Sequence, residues 1–335
     1  MKTADFDYDL PPALIAQTPI EPRDAARLLR LDRSSGAIEH FHFYDLPDLL
    51  RPGDLLIANE SRVIPARILA HKAVTGGAVE ILLLRRQDEV TWQALLRAHH
   101  VRVGTCLQLT SEVTAEVIEM SPTGERVLRF SQPIDDRLNE LGATPLPPYI
   151  HAPLYDPERY QTIYAHIPGS AAAPTAGLHF TPRVLDRLRE RAIQMSYVTL
   201  HIGLDTFKPV ESEEVEQHHI HTEYMEVTED VAAQVCTAKA EGRRVIAVGT
   251  TSVRVLETLG RRGLRAFTGN TDLFIYPGFE FAVIDGLITN FHLPRSSLLM
   301  LVAAFAGKDR IDRAYAEAIA KHYRFYSFGD AMLIL

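Results

Sequence analysis

Residues 245–260 read VIAVGTTSVRVLETLG. Four apolar residues end on Gly249, three hydroxyl residues follow, and apolar positions then recur at helical spacing up to Gly260. The run 245–248 reads as a buried strand. Thr250, Thr251 and Ser252 open a helix that continues through VRVLETL and stops near Gly260. A strand that hands over to a helix in this way is the repeating unit of an α/β domain. The same junction is a ready anion site, because a glycine followed by a hydroxyl-rich helix start leaves backbone N–H groups exposed. Arg254 sits in that first turn, where a lone cation opposes the helix dipole and makes more sense beside an anion. The plainer alternative is a Thr/Ser cap with a surface arginine.

The alternation extends upstream of this stretch. Thr181-Pro182 places an N-cap and a first-turn proline ahead of VLDRLRERA, YVTLHIGL reads as a strand, and RRVIAVG as a buried one. Before this region the texture differs. AVEILLLRR, VTWQALLRA, TCLQLTSEVTAEVIEM and ERVLRF are short β-rich runs punctuated by turn residues, which predict a small antiparallel barrel or sandwich. The expected organisation is a discontinuous α/β catalytic domain, residues 1–60 and 145–335, with an inserted β-barrel domain over 61–144. The proline cluster TPLPPYIHAPLYDP, 144–157, reads as the linker between them.

Bulk properties bound the function. The net charge of −8 argues against a broadly basic nucleic-acid binder, although not against a local basic groove. Two distant cysteines, Cys106 and Cys236, provide neither a disulfide framework nor a cysteine zinc site, and fit a reducing cytosol. The start, MKTADFDYDLPP, has no apolar core of a secretory signal, and the longest apolar run, LLMLVAAFA, is too short to span a bilayer. A soluble, cytoplasmic protein is expected, and nothing demands more than a monomer. No GxGxxG follows a predicted strand, and GxxxxGK[ST] and GxSxG are absent, so Rossmann, P-loop and serine-elbow chemistry are not indicated.

Three more stretches carry candidate chemistry. SAAAPTAGLHFTP, 170–182, strips the chain to small residues and then presents His179 and Phe180. Gly177 and its neighbours allow close approach, His179 suits proton transfer, and Phe180 could stack on a flat heterocycle. The alternative is a tight loop with His179 in the core. DGLITNFHLPRSSLLMLVAAFAG, 285–307, gathers Asp285, Asn290, His292, Arg295, Ser296 and Ser297 ahead of an apolar helix, which suggests a lined pocket. The alternative is a helix cap with a surface arginine. In HHIHTEYMEV, 218–227, His219, His221 and Glu223 share one face if the segment is a strand, and could hold zinc or iron. A polar strand edge is the competing reading there.

Taken together, these blocks resemble a family. PTAGLHFT, VTLHIGLDTFKPV, VGTTSVRVLE, DLFIYPGFEF, DGLITNFHLPRSSLLMLVAAFAG and YRFYSFGDAMLI, with FDYDLPPALIAQTPIEPRDAARLL and LIANESRVIPARI near the start, are similar to the S-adenosylmethionine:tRNA ribosyltransferase-isomerases of queuosine biosynthesis. The likeness runs through essentially the whole chain in the family's order. Asp205 and Lys208 stand where Gly and Arg are usual, Ile220 and Thr222 where Met and Ser are usual, and RAHHVRVGTCLQL replaces a more lysine-rich segment.

The resemblance implies an α/β, barrel-like catalytic domain with an inserted six-stranded barrel. It also implies an activity: transfer and isomerisation of the ribosyl group of S-adenosylmethionine onto 7-aminomethyl-7-deazaguanine at the tRNA wobble position, giving epoxyqueuosine-tRNA, adenine and methionine. Sulfonium chemistry of this kind requires no metal and no cofactor beyond the co-substrate. A base must remove a proton beside the sulfonium and an acid must help adenine leave, and His179 and His292 suit those tasks, with Asp285 as a weaker candidate. Thr175, Gly177 and Phe180 are expected around the purine, and Asn290 is expected to bind substrate. The helix starts bearing Thr250, Thr251, Ser252 and Arg254, or Arg295 and Ser296, are expected around the methionine carboxylate. For the anticodon loop, phosphate contacts are expected from the segment 62–102, where seven basic residues stand against three acidic ones. Arg62, Arg67, Lys72, Arg97 and Arg102 are the expected track. The rival readings are a metal-dependent hydrolase built on His219, His221 and Glu223, and a non-catalytic RNA-binding protein.

Overall fold

Four strands with parallel neighbours form the centre of a mixed sheet: Gln194–Leu200, Leu55–Asn59, Val245–Val248 and Gly286–Asn290. In this computed structural model the described residues are 1–121, 124–203, 210–218, 220 and 222–335, so Asp205, Lys208, His219 and His221 lie outside them. Three of the four strands are buried at every position. Continuous Val/Ile/Leu runs of this kind belong to strands covered on both faces. The full order adds Glu223–Val227 and Phe267–Thr271 on one side, and Ala331–Ile334, Arg27–Leu31 and Ile38–His42 on the other. Ala331–Ile334 runs antiparallel to Gly286–Asn290 and parallel to Arg27–Leu31.

The chain divides into two compact units. The first holds Met1–Ser61, Pro147–Ile167 and Ala173–Leu335, and contains the nine-stranded sheet. Helices follow the strands where caps allow. Thr181 accepts from the Val184 N–H at 3.3 Å to start the helix Pro182–Glu190, and Ser296 does the same for Leu299 at 3.1 Å ahead of Ser297–Ala306. The helix Thr250–Arg261 follows Val245–Val248 through Gly249, whose φ of +87° a residue with a side chain would adopt only under strain. Its residues Thr250–Leu259 are buried, so it is a core helix and not a surface one.

The second unit, Arg62–Leu146 with Pro168–Ala172, is built on a closed antiparallel barrel. Its six strands run in the order Arg67–Lys72, Ala78–Arg86, Thr91–Arg97, Arg126–Phe130, Thr114–Met120 and Cys106–Gln108. The last returns to the first through His71 opposite Gln108. Alternation packs Ile68, Ile81, Trp92, Val117 and Leu128 inside. The run TCLQLTSEVTAEVIEM supplies two strands, because Thr110–Val113 turn back with the Leu109 N–H bonded to the Val113 carbonyl at 3.0 Å.

Candidate active site

The parallel strands all point their C-terminal ends the same way, and ligands of open α/β sheets bind outside those ends. In the first unit the chain leaving Val248 and the chain leaving Asn290 border a half-open cavity with about 50 Å³ of room for the centres of water-sized molecules, inside about 590 Å³ of empty space that runs out into open solvent. Its walls come from four places: Ala173–Ala176, Gly249–Thr251, Thr289–Leu293 with Ser296, and Tyr326–Ser327, joined by Tyr149, Ile202 and Leu298. No lysine, arginine, aspartate or glutamate lines it among the described residues. Hydroxyls and one amide supply nearly all its polarity, a lining suited to a sugar or a neutral heterocycle.

A short network fixes one wall. Thr175 Oγ1 donates to Asn290 Oδ1 at 2.9 Å, and Asn290 Nδ2 reaches both His179 Nε2 and the Tyr326 carbonyl at 3.3 Å. Tyr326 is held at φ +70°, a conformation costly for a residue with a side chain. Its ring packs at 4.8 Å from that of Tyr149, whose hydroxyl bonds Ser327 Oγ at 2.7 Å.

The two expected histidines differ in position. His292 lines the cavity. Its Nε2 lies 2.8 Å from Thr289 Oγ1, its N–H donates to the Tyr315 hydroxyl at 2.9 Å, and its carbonyl accepts from Tyr8. His179 stands one residue back from the wall, buried against Phe43, and touches the cavity's lining through Asn290. Burial pushes both imidazoles down, His179 to about 4 and His292 to about 3; a hydrogen bond with the Arg23 backbone only partly opposes this at His179. Both rings are therefore neutral near pH 7. Neutral imidazoles can accept a proton, but neither stores an imidazolium for donation in the free protein.

Several expected residues serve the fold instead. Phe180 is fully buried, edge-on to Phe43 at 5.0 Å, and is not a wall of the cavity. Gly177 lines no cavity surface either. It is required by close approach rather than by left-handed backbone, since a Cβ there would overlap the Tyr164 hydroxyl and stand 2.8 Å from Thr162 Cγ2. Arg254 finds its anion inside the protein, in a buried pair with Glu223, and also donates to the Leu273 carbonyl at 3.0 Å. Glu223 is thus engaged by Arg254, and its two expected metal-binding companions, His219 and His221, lie outside the described residues. Ser252 donates to the Val248 carbonyl at 2.8 Å. Arg295 turns outward to Asp7. Asp285 lies at the other end of its strand, bound to Lys239 at 3.2 Å and to the Val245 N–H at 2.8 Å. Of the expected set, Thr175, Thr250, Thr251, Asn290, His292 and Ser296 line the cavity.

In the second unit Arg67 and Arg97 point outward on neighbouring strands around Glu80, which sits opposite Arg97 in register and pairs with Arg67 at 2.8 Å. Lys72 is tied to the carbonyls of His99 and His100, Arg62 is half-buried, and Arg102 is exposed.

Gly249 belongs to the junction that the sequence marks as an anion site, whereas nothing in the sequence singles out Phe291, Tyr149, Tyr326 or Ser327. Phe291 adjoins residues with expected roles, and Tyr149 lies in the proline cluster read as a linker.

Comparison with known proteins agrees with the likeness. The family model described as queuosine biosynthesis protein matches residues 3–334. The S-adenosylmethionine:tRNA ribosyltransferase-isomerase of Moorella thermoacetica is 54% identical over the full length of both chains, and that of Staphylococcus haemolyticus 51%. The crystal structure of S-adenosylmethionine tRNA ribosyltransferase from Thermotoga maritima superimposes with a TM-score of 0.59 at 42% identity, covering 99% of this chain and 100% of that one. With its cavity walls drawn from the same blocks that carry the likeness, and with full-length relatives above half identity, the chain belongs to the queuosine biosynthesis family of ribosyltransferase-isomerases.

Proposed function

We propose that this protein transfers and isomerises the ribosyl group of S-adenosylmethionine onto 7-aminomethyl-7-deazaguanine at the wobble position of tRNA, releasing adenine and methionine and leaving epoxyqueuosine. The observation that carries the reading is the cavity at the strand ends. Its walls, uncharged and hydroxyl-bearing among the described residues, suit a ribosyl nucleoside, in a chain that a full-length relative of that name matches at 54% identity. In this reading the first unit does the chemistry and the second binds RNA phosphates. His292, neutral and on the wall, takes the proton beside the sulfonium. His179 and Thr175 act by holding Asn290, so they are positioning residues. Exclusion of water by the apolar strand ends would protect the epoxide. The protein acts as a cytoplasmic monomer without metal or redox cofactor.

The test mixes purified protein with S-adenosylmethionine and an anticodon stem-loop bearing the aminomethyl-deazaguanine, and follows adenine and RNA mass. Adenine released in step with an epoxycyclopentane-type gain in RNA mass is expected. Binding of the RNA with neither product would overturn the reading in favour of a non-catalytic RNA-binding protein.

A further inference from the structure

Two helices begin at the cavity, and they differ in one respect. The start of Ser297–Ala306 is served by its own cap, because Ser296 Oγ accepts from the Leu299 N–H and donates to the Leu293 carbonyl at 2.7 Å. The start of Thr250–Arg261 has Gly249 at its cap position and no side-chain cap. Its first-turn N–H groups therefore have no side-chain acceptor, and Gly249, Thr250 and Thr251 at this start line the cavity, with the positive end of a twelve-residue helix behind them.

Thr251 adds a second, independent feature. It is 7% exposed and lines the cavity, and its Oγ1 has no hydrogen-bond partner among the described residues. A buried hydroxyl left unpaired costs free energy unless a ligand completes it. Two neighbouring hydroxyls are already used: Ser252 by the Val248 carbonyl and Thr175 by Asn290. Arg254, the nearest cation in the sequence, is consumed by Glu223. Among the described residues, an anion at this spot is therefore met by helix N–H groups and the Thr251 hydroxyl, without a counter-charge from a side chain.

Resting on the proposed function, we infer that the Thr250–Arg261 helix start, with Thr251 Oγ1, is the seat of the α-carboxylate of S-adenosylmethionine. The sugar then lies across the Asn290 side of the cavity.

The test compares binding of S-adenosylmethionine and of its decarboxylated form, which keeps the sulfonium and nucleoside but lacks the carboxylate, to wild type, T251V and T251S, each checked for folding by thermal melting. The wild type is expected to prefer the carboxylated ligand. T251V is expected to weaken that ligand about tenfold or more while leaving the decarboxylated one unchanged, and T251S to restore most of the difference. Equal losses for both ligands, or no loss for either, would overturn the assignment. So would weakened binding of the stem-loop by T251V without S-adenosylmethionine, which would make the seat one for an RNA phosphate. A wild type that binds neither sulfonium ligand would overturn the proposed function itself.

Discussion

The hydroxyl of Tyr164 occupies the space that a side chain at Gly177 would need: a Cβ there would overlap the oxygen and stand 3.1 Å from Cζ. The same hydroxyl is buried without a hydrogen-bond partner among the described residues. Gly177→Ala should therefore destabilise the protein by about 1–3 kcal/mol through overpacking. Tyr164→Phe alone should be close to neutral, and in the double variant it should recover part of the loss, because Thr162 Cγ2 still stands 2.8 Å from the new Cβ. Urea melts of the four proteins check this, and additive losses would show that the oxygen is not what excludes a side chain at 177.

The Arg254–Glu223 pair gives a second expectation. Both side chains are almost wholly buried, so removal of the cation takes its Arg254 charge partner from a buried carboxylate. Arg254→Met should cost about 3–5 kcal/mol, and the double variant with Glu223→Gln less than the two singles together. Calorimetric melting measures it. Wild-type stability with a selective loss of S-adenosylmethionine affinity would instead place Arg254 on the substrate.

Acid stability follows from the two buried histidines. Their folded pKa values of about 4 and about 3 lie below the ordinary 6.5, so between those limits the unfolded chain binds more protons than the folded one. Stability must then rise with pH across that window, and acidification from pH 6.5 to 4.5 should remove about 2–3 kcal/mol for each ring. Above pH 7 neither contributes a slope. Denaturant melts of wild type and His179→Gln over this range test it, with a shallower dependence expected in the variant. An imidazole proton exchange midpoint near 6.5 at His179 would contradict the account.

RNA binding by the barrel should depend on its outward arginines. Arg97→Ala and Arg102→Ala should each weaken stem-loop binding about evenly across sequences and reduce the slope of log affinity on log salt by about 1. S-adenosylmethionine affinity should be unchanged. Salt titrations that leave the slope at its wild-type value would remove these residues from the phosphate track.

How far the sequence could be read depended on the range of the interactions involved. Val245–Val248, the Gly249 break and the Thr181 and Ser296 caps are decided by neighbours within a few residues, and the structure holds them where the sequence pattern put them. The roles of polar residues were harder to read, because their partners are remote in the chain. Arg254 is satisfied by Glu223, Asp285 by Lys239 and Arg295 by Asp7. Each looked like an unsatisfied charge beside an apolar run, and each is satisfied by the fold. Phe180 looked like a free ring beside a histidine until Phe43 and Tyr164 closed over it. Tyr149 shows the opposite error: its proline-rich surroundings concealed a wall of the cavity.

The most direct measurement is a crystal structure of the protein with S-adenosylmethionine bound. The nucleoside is expected in the cavity between Gly249 and Asn290, with the ribosyl carbons within reach of His292 and the carboxylate against Thr251. Density for the ligand elsewhere, with this cavity left to solvent, would refute the assignment.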